Sequence, residues 1–279
     1  MTILFFSVLL FVFSVLAGLI GALTGLGGGI IIIPLLVLFF HIDIHYAMGA
    51  SLISVIATSS GAAIAFSQKG YINLRIGLFL ESAAVIGAFI GALLITIVSK
   101  NLLAILFSLL LLFSAFLTIK RRDDYKKYQS SHPWAKTWKL EGTYPIHNHI
   151  ESYHVQHVPF ALCIMGIAGV FSGLLGIGSG ALKVLAMDYG LRLPYRVATT
   201  TSNFMIGITA AVSAGLYFSH GYINPSITFP VMLGVILGSF CGAKILFKTH
   251  QYILRIIFSV VLCFIALQML YKAFSGTLI

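Results

Sequence analysis

Only 9% of the 279 residues are charged and 59% are hydrophobic, with a mean hydropathy of +1.03, whereas a soluble domain carries roughly 25% charged residues; a water-soluble enzyme or binding module is excluded. The formal charge of +10 is no sign of nucleic acid, because seven of the 17 Lys and Arg residues crowd between Lys120 and Lys139, beside an apolar run, where basic residues set membrane orientation. Cys163, Cys241 and Cys263 sit singly in apolar stretches without CxxC spacing and read as packing residues, not as redox or disulfide partners.

Apolar segments of membrane-spanning length fall near residues 3–40, 46–67, 74–98 and 101–119, and again near 158–190, 196–218, 225–247 and 252–271. The first lacks a positively charged start, so it reads as a retained span and not a cleaved signal. Segments 3–40 and 158–190 are too long for one span and are broken by Gly25-Leu26-Gly27-Gly28-Gly29 and Gly176-Ile177-Gly178-Ser179-Gly180. Each reads as a span followed by a broken or re-entrant half-helix.

Between the two sets lie residues 120–157, charged, aromatic and histidine-rich. Their basic start places this loop in the cytoplasm. His132, His147, His149, His154 and His157, with Glu141 and Glu151, read as solvated side chains because no cysteine or fixed ligand spacing accompanies them. Trp134, Trp138 and Tyr144 are expected to lie against lipid headgroups.

A shift of 151 residues aligns the two sets without a gap: over positions 17–92, 19 of 76 pairs are identical. They include the glycines at 25, 27 and 29 with those at 176, 178 and 180, Ser51 with Ser202, and Gly70-Tyr71-Ile72-Asn73 with Gly221-Tyr222-Ile223-Asn224. Hydrophobic bias alone does not produce such matches. The expected architecture is an all-α integral membrane protein of about eight transmembrane helices in two homologous four-span repeats, residues 1–119 and 158–279, joined by the loop 120–157. An even number of crossings per unit, the count expected here, makes the copies parallel; if the glycine-broken segments cross fully, the copies are inverted.

Broken helices in a membrane expose backbone N–H groups that bind anions, which makes Gly27, Gly28, Gly29, Gly178, Ser179 and Gly180 substrate-binding candidates. The alternative is that these glycines only permit tight helix packing. Lys183 lies three residues beyond the second cluster where the first half has Ile32. A cation inside a span is costly, so it is a site candidate, against the alternative of snorkelling to a surface. Arg196, Ser202 and Asn203, with Ser51 in the first half, add oxyanion-binding chemistry, although span hydroxyls also bond to neighbouring backbone and an arginine also anchors a helix end. Glu81, whose counterpart is Met232, is a proton-coupling candidate or the partner of a cation across the bundle. Asp43 and Asp188 are expected to be solvated near loops.

These glycine clusters with Pro34, the run from Gly176 to Val184, and the run Arg196-Val197-Ala198-Thr199-Thr200-Thr201-Ser202-Asn203-Phe204-Met205 resemble the TauE/SafE family of sulfite and organosulfonate exporters, over essentially the whole apolar part of the chain. Two departures are Ser179, where the family commonly has glycine, and Leu185, where it has proline. The resemblance implies a permease of the cytoplasmic membrane, without an ATPase domain, handling sulfite, sulfonates or related small anions. The expected partners are a small anionic substrate and the lipid bilayer, without nucleic acid; a homo-oligomer is left open. No cofactor or metal is expected, and no enzyme, since HExxH, GxSxG and an intramembrane aspartate pair are missing from the sequence. The rivals to a carrier are an anion channel and a metal-sensing receptor working through the histidine loop.

Overall fold

A computed structural model describes residues 3–24, 27–67, 71–119, 131–146, 149–245 and 251–275. Its first half contains α1 (Ile3–Thr24), a short α2 (Gly29–Pro34) running into a π-helical turn (Leu35–Phe39), then α3 (Ile44–Ser67), α4 (Leu74–Leu93) and α5 (Lys100–Ile119). After α6 (Pro133–Thr137) and a hairpin of β1 (Gly142–Ile146) and β2 (His149–Tyr153), the second half contains α7 (Val158–Leu175), α8 (Gly180–Leu185) with its own π-helical turn (Ala186–Gly190), α9 (Tyr195–Ser219), α10 (Pro225–Ile245) and α11 (Gln251–Phe274).

Among the described residues four helical stretches are long and apolar enough to cross a bilayer: Leu4–Ala22, Leu74–Thr96, Val158–Leu175 and Pro225–Gly242. Their outer faces expose large apolar side chains, such as Leu4, Ile86 and Phe160, as a lipid-facing surface requires. Apart from the hairpin, the described chain is an α-helical membrane protein. Its more hydroxylated helices, α3 with Ser51, Ser54, Thr58 and Ser59 and α9 with Thr199 to Ser202, are packed against each other at the centre, where those groups are buried. Polar span residues are kept from lipid this way, because no water there satisfies them.

The four apolar stretches form two close pairs, α1 with α10 and α4 with α7. A Cβ at Gly91 would stand 2.1 Å from the carbonyl oxygen of Val170, and one at Gly238 2.0 Å from that of Val15, so only glycine allows these backbones to meet. Contacts advance together along each pair, from Gly87–Gly166 to Gly91–Val170 and from Gly234–Phe11 to Gly242–Leu19. Partners in each pair therefore run in the same direction.

The glycine-broken segment carries the chain back. Gly28 lies against Ala17 of α1, while Phe40, past the π-helical turn, packs on Phe6 and Phe13 with ring centroids 5.4 and 6.4 Å apart. α3 thus starts on the side where α1 started, and Asp43 there meets Lys100 at the start of α5, 2.5 Å away. α2 and its turn thus make a return pass along α1. Asp43 is not simply solvated: partial burial raises its carboxyl, but hydrogen bonds from Lys100 and His45 outweigh this and hold it below the usual carboxylate range. Asp188 is half-buried within the second π-helical turn and has an interaction partner.

The described part of the connecting loop, residues 131–146 and 149–157, forms a short helix and a hairpin. Tyr144 is buried, faces Tyr153 and donates to Glu151 at 3.2 Å, so it does not lie against headgroups. Trp134 and Trp138 are exposed. The hairpin is tied to the start of α4, where the Asn73 amide donates to the Tyr153 hydroxyl at 2.6 Å, and Gln156 N–H donates to the Leu191 carbonyl at 3.1 Å. His132 caps α6, and His154 lies 3.1 Å from Ser131 and 3.4 Å from Glu141; His147 lies outside the described residues. Among the described residues no three His, Cys, Asp or Glu side chains form a metal-binding group.

Candidate functional site

The second glycine cluster builds the support for a buried charge. Gly176 and Gly178 have φ of +68°, and Ser179 has φ of +42°, in the left-handed region that disfavours a side chain. Ser179 is held there by its own hydroxyl, which donates to the Ala168 carbonyl. This turn starts α8 abruptly inside the protein. Lys183 follows on its first turn, its backbone N–H donating to the Ser179 carbonyl at 3.1 Å.

The Lys183 side chain is fully buried and points across the bundle to Glu81 of α4, whose side chain is 4% exposed. Lys183 Nζ is 2.9 Å from Glu81 Oε2 and 3.2 Å from Oε1. It also donates to the Met205 carbonyl at 3.3 Å and to the Thr209 hydroxyl of α9, and that hydroxyl donates in turn to Glu81 Oε1. A charge of each sign and a hydroxyl thus meet in one compact, occluded cluster, supplied by three elements of both halves. Lys183 does not snorkel, since burial without a partner would cost several kcal/mol. Such a pair can hold an anion on the lysine or a proton on the carboxylate.

The other candidates are distributed around this cluster. Gly27 has φ of +83° and faces Ile206, and Gly29 lies so close to Ser51 that a Cβ would stand 2.3 Å from its hydroxyl oxygen. Gly28 accepts the first backbone bonds of α2 from Ile31 and Ile32. Ser51 donates to the Gly176 carbonyl at 2.6 Å, tying α3 to the opposite glycine turn, and Ser202 donates to the Gly180 carbonyl at 3.3 Å. Their hydroxyls are committed to backbone. Asn203 is fully buried, and neither its Nδ2 nor its Oδ1 has a protein partner among the described residues. Arg196 is exposed at the start of α9. At about 1.5 Å of rise per residue it stands roughly 20 Å along that helix from Thr209, so it is not brought to the cluster.

Sequence reasoning did not single out Thr209. Its signal was identity with Thr58 across the 151-residue shift, whereas the counterparts of Lys183 and Glu81, namely Ile32 and Met232, are apolar.

Comparison with known proteins agrees with this membrane architecture. The Sulfite exporter TauE/SafE profile matches residues 10–269. The chain is similar to the probable membrane transporter protein YdhB of Bacillus subtilis, 32% identical over 84% of this chain and 86% of that protein. It is also similar to YunE, a probable membrane transporter protein of the same organism, 28% identical over 95% and 97% of the two chains. A third relative is the probable membrane transporter protein MJ0441 of Methanocaldococcus jannaschii, 26% identical over 94% of each. No solved structure matches the chain. The protein is a membrane transporter and belongs to the sulfite exporter TauE/SafE family.

Proposed function

We propose that this protein is a secondary carrier that moves a small oxyanion, sulfite or an organosulfonate in the first instance, across the cytoplasmic membrane by alternating access. The observation that carries this reading is Lys183, a cation buried at the start of a broken helix, where both halves of the chain meet. A charge kept there at such cost serves a charged guest, and a cation selects an anion. Asn203, whose amide atoms have no partner among the described residues, and the amides of Gly27 to Gly29 and Gly178 to Gly180 supply neutral donors in this reading, with Ser51 and Ser202 holding the glycine turns in place.

In the same reading residues 1–119 and 158–279 are two homologous repeats in inverted orientation, each with four long helices and a re-entrant half-helix, and residues 120–157 lie in the cytoplasm. Two features support it. The bounds Gly29–Pro34 and Leu35–Phe39 recur as Gly180–Leu185 and Ala186–Gly190, the same 151 residues on. The pairing of α1 with α10 is also matched by that of α7 with α4, both with partners running the same way. Inverted repeats that pack reciprocally can rock between two related states around a fixed central site.

Counterflow in proteoliposomes tests this directly. Vesicles loaded with unlabelled sulfite, thiosulfate, sulfate, sulfoacetate or methanesulfonate are expected to accumulate the matching labelled anion transiently, because a carrier exchanges one for the other. Conductance without such exchange identifies a pore instead. Failure of every anion in this panel to exchange or conduct overturns the reading.

A further inference from the structure

The ammonium group of Lys183 has three N–H donors, and the structure directs them to three partners: the Glu81 carboxylate, the Thr209 hydroxyl and the Met205 carbonyl. None is left for a guest. The Glu81 carboxylate stands where an oxyanion bound to this lysine would have to stand, and Thr209 already donates to it. We propose, resting on the carrier reading above, that the substrate oxyanion competes with Glu81 for Lys183 and Thr209, and that Glu81 takes up one proton when it yields, so that anion and proton cross together.

Charge counting supports the exchange. The empty cluster is neutral, with one cation and one carboxylate. Adding a monovalent anion alone would leave a net negative charge in a dry interior, which is costly. Adding the anion and a proton yields an ammonium, a neutral carboxylic acid and the bound anion, again neutral. No bond is made or broken beyond the O–H on Glu81, and that proton comes from the side the anion enters. The titratable groups on the elements packed around Glu81 leave it as the acceptor. Arg75 and Arg196 are exposed at helix starts, Cys163 of α7 is exposed, the buried Tyr217 hydroxyl donates to the Leu174 carbonyl, and Asp188 and Tyr189 are half-buried on the turn after α8.

Linkage makes the consequence measurable. If Glu81 is ionised in the free protein and protonated in the complex, anion affinity rises about tenfold for each unit by which pH falls. Methanesulfonate is the probe, because it remains ionised near neutral pH and cannot carry the proton itself. Its half-saturating concentration in counterflow, at equal pH on both sides, is expected to fall about tenfold per pH unit in the wild type and to be independent of pH in Glu81→Gln. A second measurement needs no variant: infrared difference spectra of the wild type on adding methanesulfonate should gain the carbonyl stretch of a protonated carboxylic acid. A flat pH profile in the wild type, an equal slope in Glu81→Gln, or no carboxylic acid band on binding overturns the coupling. If methanesulfonate neither binds nor exchanges at any pH, what fails is the sulfonate-carrier reading beneath it.

Discussion

Lys183 and Glu81 stand 102 residues apart in the chain and 2.9 Å apart in the folded protein, one on a broken half-helix of the second half and the other on a long helix of the first. Removing either partner strands the other charge in a dry interior. Lys183→Met or Glu81→Leu alone should lower stability by about 3–5 kcal/mol, whereas the double replacement by apolar residues should recover most of that loss. Unfolding of the detergent-solubilised variants measures this; a double variant no more stable than the worse single one would show that the two charges are not coupled.

The close helix pairs make a steric prediction. Gly91→Val and Gly238→Val put atoms within about 2.1 Å of the backbone oxygens of Val170 and Val15, and each should cost about 1–3 kcal/mol or prevent folding. Gly215→Val is the control, since a Cβ there meets nothing within 4 Å. Thermal melting of the three variants side by side should separate the first two from the third.

Ser179 holds a positive φ that its hydroxyl helps to stabilise. Ser179→Gly removes the hydrogen bond but relieves the backbone, so stability should change by less than about 1 kcal/mol. Ser179→Ala keeps the strain and loses the bond, and should cost about 1–3 kcal/mol. Equal melting temperatures for the two variants would contradict this account of the turn.

Asp43 links the end of the first return pass to Lys100 and His45. Its folded pKa lies below the unfolded value near 3.8. Its contribution to stability is therefore complete above that value and is lost as pH falls towards the lower folded pKa. Asp43→Asn should melt lower than the wild type at neutral pH, and the gap should shrink below about pH 4 as the wild-type carboxyl protonates. A gap that stays constant down to pH 3 would mean that the charge on Asp43 is immaterial.

Much of this protein is legible in its sequence because membranes simplify the code. Spans declare themselves by length and apolarity, and a charge such as Lys183 or Glu81 stands out in an apolar run. A cation partner for Glu81 is among the sequence expectations, but that the partner is Lys183 is a tertiary fact, since no local pattern encodes a contact across 102 residues. Thr209 was hidden because a hydroxyl in a span resembles one that merely bonds the preceding turn. Arg196 has suitable chemistry for an oxyanion, yet its place at an exposed helix start keeps it far from the cluster. Tyr144 has the composition of a headgroup anchor, but hairpin pairing with Glu151 buries it. The return pass of α2 turns on the packing of Phe40 against Phe6 and Phe13, which hydropathy does not reveal.

The most direct measurement is labelled-oxyanion counterflow by Lys183→Ala beside the double variant Lys183→Met/Glu81→Met, each checked for insertion and cooperative melting. If Lys183 is the charge that receives the anion, both lose exchange for every substrate of the wild type, although the double variant melts close to the wild type. Exchange at the wild-type rate in a folded protein lacking Lys183 would contradict that claim and move the anion site elsewhere.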